Sequence, residues 1–343
     1  MITTINKISL KNLNEEHILK LFNLYEKKGN ENVYLKLSHK DNLKYTRTIT
    51  LKNVLALAKL LQLRVSESRI KLVFNDFSKA NNEAEILIRN ISDVLIRLET
   101  SQNDFIINEA EIRDLTILLS NSFSKMSYSK DEQKNFLNND KIKSKQLQLD
   151  GLCSTFNKIL LKGNQEKIHL IANFYIDFIN NHFYVHSNKL LGLLILYSFI
   201  FKNFKACKYS AFLTYIVDDI DTWKSIIKDC DYEWKNEYNI NSNLAFFITN
   251  KLILVMDEAN LYYRSYEIEA RNSKSDDLEN TISKLASIFS KDDIRKHHPT
   301  ISKSTIDRKL NDLKEKRLIM PVGTGRSAKW QKLDFKDNLF DLE

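Results

Sequence analysis

Glycine and proline are nearly missing from this chain, with six Gly and two Pro in 343 residues. Sandwiches, barrels and doubly wound α/β folds turn the chain often and tightly, and they use these two residues to do so. Their scarcity excludes such folds as the main architecture and points to a mainly α protein. The absence of Pro- and Gly-rich tracts also argues against low-complexity disorder. Cysteine is equally sparse. Cys153, Cys207 and Cys230 are odd in number and far apart, which gives neither a disulfide framework nor a zinc-ligand spacing. A reducing, cytoplasmic setting is the expectation. A long apolar run is missing too. The longest, Leu190 to Phe201, has twelve residues, broken by Ser198 and softened by Gly192 and Tyr197. A bilayer span needs ~20, so the run reads as a buried helix at the centre of a domain and no membrane partner is expected. Met1 to Lys7 lacks the basic cluster and apolar core of a signal peptide.

Positive charge is present but confined. The net charge is +8. Residues 291–332 carry twelve Lys and Arg against five acids, and residues 333–343 carry one Lys against four acids. The basic character therefore belongs to one short segment, a candidate nucleic-acid surface, followed by an acidic tail over 334–343.

The apolar periodicity divides the chain as follows. Residues 1–60 form an N-terminal region in which Asn32–Leu37 and Lys44–Thr50 alternate in the manner of a small hairpin, followed by helical spacing from Leu51 to Leu63. Residues 61–272 are helical, with Ile86, Leu87, Ile91, Val94, Leu95 and Leu98 as one stripe and a polar surface loop over 126–150. Arg271 to Asp277 is a polar break and the expected linker. Beyond it, Thr281–Phe289 reads as a short helix. Ser290 with Asp293 caps a second helix, which Pro299 ends, and Ser304 with Asp307 opens a third. Ile306, Leu310 and Leu313 give that third helix an apolar face, and Lys303, Thr305, Arg308 and Lys309 give it a basic one. Two short strands follow around Gly323-Thr324-Gly325, with Arg326 at the turn.

Three helices and a strand pair over 278–333 resemble the winged helix-turn-helix fold. That resemblance implies double-stranded DNA as a partner, met by Lys303, Ser304, Thr305, Arg308, Lys309 and, on the wing, Arg326. The alternative reading of the same face is a solvated surface, or one that docks protein.

The central stretch His182-Phe183-Tyr184-Val185-His186-Ser187-Asn188-Lys189-Leu190-Leu191-Gly192-Leu193 resembles the Fic (Fido) motif, H-x-F-x-[DE]-[GA]-N-[GK]-R-x-x-R. His182, Asn188 and Lys189 fit, and Tyr184 and Ser187 are mild replacements. His186 stands where the family has its acid, and Leu190 and Leu193 stand where it has two arginines. Around the motif, Tyr209 to Ile216, Trp223 and Phe246-Phe247 are similar to the helices that follow it in the family. Ser68-Arg69-Ile70 is similar to a regulatory stretch whose inhibitory Glu is replaced here by Lys71. The family's enzymes move AMP from ATP to a protein hydroxyl. The resemblance implies His182 as the base that takes the hydroxyl proton, and Ser187, Asn188 and Lys189 as part of a phosphate loop at a helix N-terminus. ATP and Mg²⁺ are implied only if transfer survives, and imidazole is a poor substitute for a carboxylate on Mg²⁺. No protein-bound metal is expected: His182 and His186 lie four apart, but no third ligand is near in sequence. Both also read as ordinary histidines.

The reading is therefore a Fic-like helical bundle followed by a winged helix-turn-helix domain. Catalysis is expected to be impaired, and the protein to act in regulation and on DNA, with an unidentified protein target and a homodimer left open. A divergent AMP transferase and a purely structural interaction partner are the alternatives.

Overall fold

The structure is a computed structural model. It describes residues 4–5, 13–31, 39–100, 106–129, 144–236, 242–298, 301–323 and 329–333, with the side chains of 39–44, 264–277 and 280 set aside. The chain divides into two compact units at Tyr262 and Tyr263.

The first unit is built from helices. α1 (Glu15–Gly29), α2 (His39–Leu60), α3 (Glu67–Phe74), α4 (Glu83–Thr100) and α5 (Glu109–Leu119) precede α6 (Lys145–Lys162), α7 (Lys167–Asn180) and α8 (Asn188–Asn203). A 3₁₀ turn (Lys205–Lys208), α9 (Phe212–Asp218), α10 (Ile220–Lys235) and the first part of α11 (Ser242–Lys284) complete it. Why α7 and α8 are central is plain from their composition. Every residue of α7 from Ile168 to Ile179 is buried, and so is every residue of α8 from Leu190 to Phe201. A helix that is apolar all round must have neighbours all round. The two helices approach closely at Gly192. A Cβ there would lie 3.0 Å from the Ile179 Cγ2 and 3.2 Å from ring atoms of Phe178 and Tyr175. Two carboxylates fix the ends of α7. Glu166 caps its start by accepting from the N–H groups of Ile168 and His169, at 2.9 and 2.8 Å. Asp177, fully buried near its end, accepts from the Thr4 N–H at 2.8 Å and from the Trp234 indole at 3.0 Å.

The second unit contains the remainder of α11, β1 (Ile288–Phe289), α12 (Lys291–His297), α13 (Lys303–Glu315), β2 (Ile319–Val322) and β3 (Lys329–Lys332). The strands form an antiparallel sheet in the order β1-β3-β2, with Trp330 opposite Phe289 on one side and Pro321 on the other. Leu278, Ile282, Ile294, Ile306, Leu310 and Trp330 share one core with these strands. Ser290 and Asp293 form a full capping box on α12, as the sequence leads one to expect.

Several expectations need correction. Residues 44–50 lie inside α2 and are not a strand; Ile49, Asn53, Val54 and Leu57 are buried along it, a helical spacing. Asn32–Leu37 lies outside the described residues. α6 begins at Lys145, inside the expected 126–150 loop. Residues 271–277 belong to α11, so the backbone does not break there, and the division between units falls nearer Tyr262. Thr281–Phe289 is not one helix: α11 ends at Lys284, β1 follows, and Ile288 is exposed rather than inward. The cap of α13 is Ser302, whose hydroxyl accepts from the Thr305 N–H at 3.2 Å, so Ser304 sits within the first turn. No helix among the described residues is long and apolar enough to cross a membrane.

Candidate functional site

The link from α7 to α8 is short and tightly held. Asn181 ends α7, and the Lys145 ammonium donates to its carbonyl at 2.8 Å. His182 follows with φ 46°, a left-handed turn that exposes its imidazole. Phe183 and Tyr184 then plunge into the core, Phe183 against Phe178 with ring centroids 5.4 Å apart. Val185 and His186 return to solvent. Ser187 is again left-handed, at φ 62°, and sits at the cap position of α8 without a side-chain cap bond.

Asn188 closes the loop. Its Oδ1 accepts from the Tyr184 N–H at 3.0 Å, and its Nδ2 donates to the Tyr184 carbonyl. One side chain thus satisfies both backbone groups of a buried residue four positions back. The first backbone bond of α8 runs from the Leu191 N–H to the Ser187 carbonyl at 2.9 Å. The N–H groups of Asn188, Lys189 and Leu190 make no bond to any other described residue, as expected of a helix start. Exposed His182, His186 and Lys189 surround these open donors in sequence. Leu190 and Leu193 do not, because both are buried, at 8% and 3% exposure.

A second strand of chain lines this loop. The Ser129 N–H donates to the Phe183 carbonyl at 2.8 Å, and the Val185 N–H donates to the Ser127 carbonyl at 3.0 Å, pairing Tyr128 with Tyr184. The two phenol rings stack at 4.8 Å. The Tyr128 hydroxyl donates to Glu109 Oε1 at 2.5 Å, and Gln146 Nε2 donates to the same oxygen at 3.2 Å. Burial, and then the Glu109 carboxylate, push the Tyr128 phenol far up; burial pushes Tyr184 up to about 12. Neither phenol ionises near neutrality, so neither serves as a base. Tyr128, Glu109 and Gln146 were not singled out from the sequence. The only local signal was the polar triplet Ser127-Tyr128-Ser129, too short to read as a strand.

These residues do not fit a Mg²⁺-bound triphosphate. Residues 182–189 contain no carboxylate, and His186 holds the position an acid would need. Glu109, the carboxylate tied to this loop through Tyr128, already takes two donors. Among the described residues no three His, Cys, Asp or Glu side chains are arranged so that they could hold a metal ion. Lys71, at the position of the regulatory Glu, is exposed and pairs with Glu67 at 2.7 Å.

In the second unit, α13 exposes Lys303, Ser304 and Arg308, with Thr305 half-buried. Lys309 is not on that face. It is buried, at 8% exposure, with its ammonium 2.6 Å from Glu279 and 3.6 Å from Asp312. Asp307 is paired with Lys291 at 2.7 Å. The end of α12 adds exposed Arg295, Lys296 and His297, which the sequence reading did not select. Arg326 and the acidic tail lie outside the described residues.

Comparison with solved structures finds this fold elsewhere. A Fic family protein from Desulfovibrio desulfuricans G20 matches with a TM-score of 0.53 at 14% identity, covering 94% of this chain and 97% of that one. A Fic domain containing signaling protein from Bacteroides thetaiotaomicron VPI-5482 matches with a TM-score of 0.53 at 15% identity, covering 70% of this chain and 98% of that one. No protein-family model matches the sequence, and no curated protein does. At such identities the likeness is one of fold, and the fold is that of the Fic proteins.

Proposed function

We propose that this chain is a Fic-related protein that has lost most or all nucleotide transfer and acts as a regulatory, DNA-binding protein. The observation that carries the first half is the burial of Leu190 and Leu193 beside a loop without an acid. Where the Fic motif has two forked donors for phosphate, this chain has core side chains. A charge-stabilising donor is commonly worth ~3 kcal/mol in a transition state, and neither leucine supplies one. His182 remains exposed in the position of the base, and three open N–H groups remain at the start of α8. Those features are what favour the alternative, a divergent AMP transferase.

The second half rests on the second unit. A helix, a short strand, two helices and two further antiparallel strands follow the order of a winged helix, and α13 is its recognition helix. Lys303, Ser304, Thr305 and Arg308 are its contacts, with Arg295 and Lys296 as further phosphate partners and Arg326 on the wing; Lys309 is withdrawn from the set.

The full chain is incubated with labelled ATP, Mg²⁺ and cell lysate, and titrated separately with mixed-sequence duplex DNA at ~50 mM salt, where non-specific binders respond at micromolar protein. Absent labelling with DNA binding is the expected pair of results. Labelling that disappears in His182→Ala would establish the transferase instead. Indifference to both would leave a structural interaction partner.

A further inference from the structure

The chain leaves the sheet of the second unit beside the end of α13. The Leu333 N–H, just past β3, donates to the Leu318 carbonyl at 3.0 Å, and Leu318 follows the last residue of α13, Glu315, by three positions. Residues 334–343 come next and lie outside the described ones. Their sequence sets Asp334, Asp337, Asp341 and Glu343 against Lys336, with Phe335, Leu339, Phe340 and Leu342 between them. An extended chain of that length spans up to ~33–36 Å. α13 has thirteen residues and is ~20 Å long at 1.5 Å per residue. From Leu333 the acids can therefore reach any point along α13, back to Lys303.

The face within reach is basic, and its cations are open. Lys303, Arg308 and Lys314 are exposed at the start, middle and end of α13, and Arg317 is exposed just beyond it. None of these forms an ion pair with a carboxylate among the described residues. Two acids of α13 are taken by other lysines: Asp307 by Lys291 at 2.7 Å, and Asp312 by Lys309 and Lys316 at 3.6 and 3.1 Å. Glu315 is exposed at the last position. Lys314 has an ordinary task, because a cation in the last turn suits the helix dipole. Lys303 does not. It occupies the first position of α13, whose first turn holds no acid, and there the positive end of the dipole opposes a cation. An external anion makes that position favourable, and a carboxylate tethered on the same chain acts at an effective concentration of order mM. The spacings are commensurate. From Lys314 back to Arg308 and Lys303 is ~9 and ~17 Å along the helix. From Asp334 on to Asp337 and Asp341 is up to ~10 and ~23 Å of extended chain.

We propose that the acidic segment 334–343 docks along α13 and shields the face assigned above to DNA, so that duplex DNA has to displace it. The competition rests on that DNA reading; the contact does not.

The test is zero-length carbodiimide cross-linking of the full chain at ~50 mM salt, to limit screening, with the linked peptides identified by mass spectrometry. Amide links from Asp334, Asp337, Asp341 or Glu343 to Lys303 or Lys314 are expected, and they are lost at ~1 M salt, where the Debye length is ~3 Å. Lys329 is the control. It is exposed on β3, four residues and ~13 Å before Leu333, and so equally within reach. Links to Lys329 as frequent as those to Lys303 and Lys314 mean an undocked chain and overturn the proposal, as does the absence of links to α13. Duplex DNA is then added. It suppresses the links, and Asp334→Asn/Asp337→Asn/Asp341→Asn binds DNA at least threefold more tightly than the wild type. Links undiminished by bound DNA, or equal affinity in the triple variant, overturn the competition. Links to α13 in a chain that binds no DNA uphold the contact and remove the DNA reading. DNA binding without such links upholds the DNA reading and overturns the contact.

Discussion

Asn188 and Gly192 show how single positions hold the loop and its helix. Asn188 is a motif-type residue with a visible task here, and that task is structural: it clasps both backbone groups of Tyr184. Asn188→Ala leaves a buried N–H and carbonyl unpaired, and each such orphan costs about 1–3 kcal/mol. Asn188→Asp keeps the acceptor and loses the donor, so urea unfolding should rank wild type, Asp, then Ala. Equal stability of the three would show that the loop holds without the clasp. Gly192 stands where α7 and α8 touch. A methyl group there meets Ile179 at 3.0 Å within a packed core, and overpacking of this kind costs about 1–3 kcal/mol. Gly192→Ala should lower the melting temperature although alanine favours helix over glycine by ~1 kcal/mol. A rise would show that α7 and α8 separate to make room.

At the scale of elements, what was legible in the sequence depended on how strongly burial dictates pattern. α8 could be read directly, since a twelve-residue apolar run below membrane length has one place to go. α12 could be read from its capping box. The segment 44–50 was misread because Thr46, Thr48, Ile49 and Thr50 are β-branched and alternate with Tyr45 and Arg47. Packing of Ile49, Val54 and Leu57 overrides that local preference. The stretch 281–289 was misread because a short apolar run does not distinguish a helix end from a two-residue strand. In the candidate site, the loop boundaries and the place of His182 were legible, but the pairing with Ser127–Ser129 was not, because it joins residues more than fifty positions apart. Lys309 failed for a related reason. The apolar face of α13 is wide enough to include it between Ile306 and Leu310, and its partner Glu279 lies thirty residues back. This separates two variants. Arg308→Ala should weaken the proposed DNA binding and flatten its salt dependence by roughly one phosphate contact. Lys309→Met should leave the salt slope unchanged and lower stability by about 1–2 kcal/mol through loss of a charged hydrogen bond. A Lys309→Met variant with a flattened slope would return Lys309 to the proposed DNA face.

Over the first unit as a whole, two buried groups give the stability a definite pH course. Glu99 of α4 accepts from Thr50 of α2 and, at 2.7 Å, from Tyr197 of α8, and burial, only partly offset by these bonds, pushes its carboxyl up to about 7. An acid whose pKa is raised on folding binds more protons folded than unfolded between the two values. Its contribution is therefore lost as pH rises from about 4.5 to about 7. His17 of α1 acts in the opposite sense. Its ring stacks on His169 of α7 at 4.8 Å and meets Phe246 of α11 edge-on at 5.1 Å, with Glu166 close by. Burial first, then the His169 ring, lower it to about 4 against the pull of Glu166. A base with a lowered pKa stabilises the folded state when neutral, so its contribution is present above about 6.5 and lost as pH falls to about 4. Between about 4.5 and 6.5 the two slopes nearly cancel, which leaves exposed the last part of the His17 loss, from about pH 4.5 down to about 4, and the last part of the Glu99 loss, up to about pH 7. Single variants uncover each limb. In Glu99→Gln, urea unfolding should show stability rising from pH 4.5 to 6.5, with no loss toward pH 7.5. In His17→Asn, it should show stability falling over the same range. Each limb amounts to about 3 kcal/mol at most, since one pKa unit is worth ~1.36 kcal/mol. Parallel pH profiles in wild type and both variants would mean that neither group changes its proton on folding.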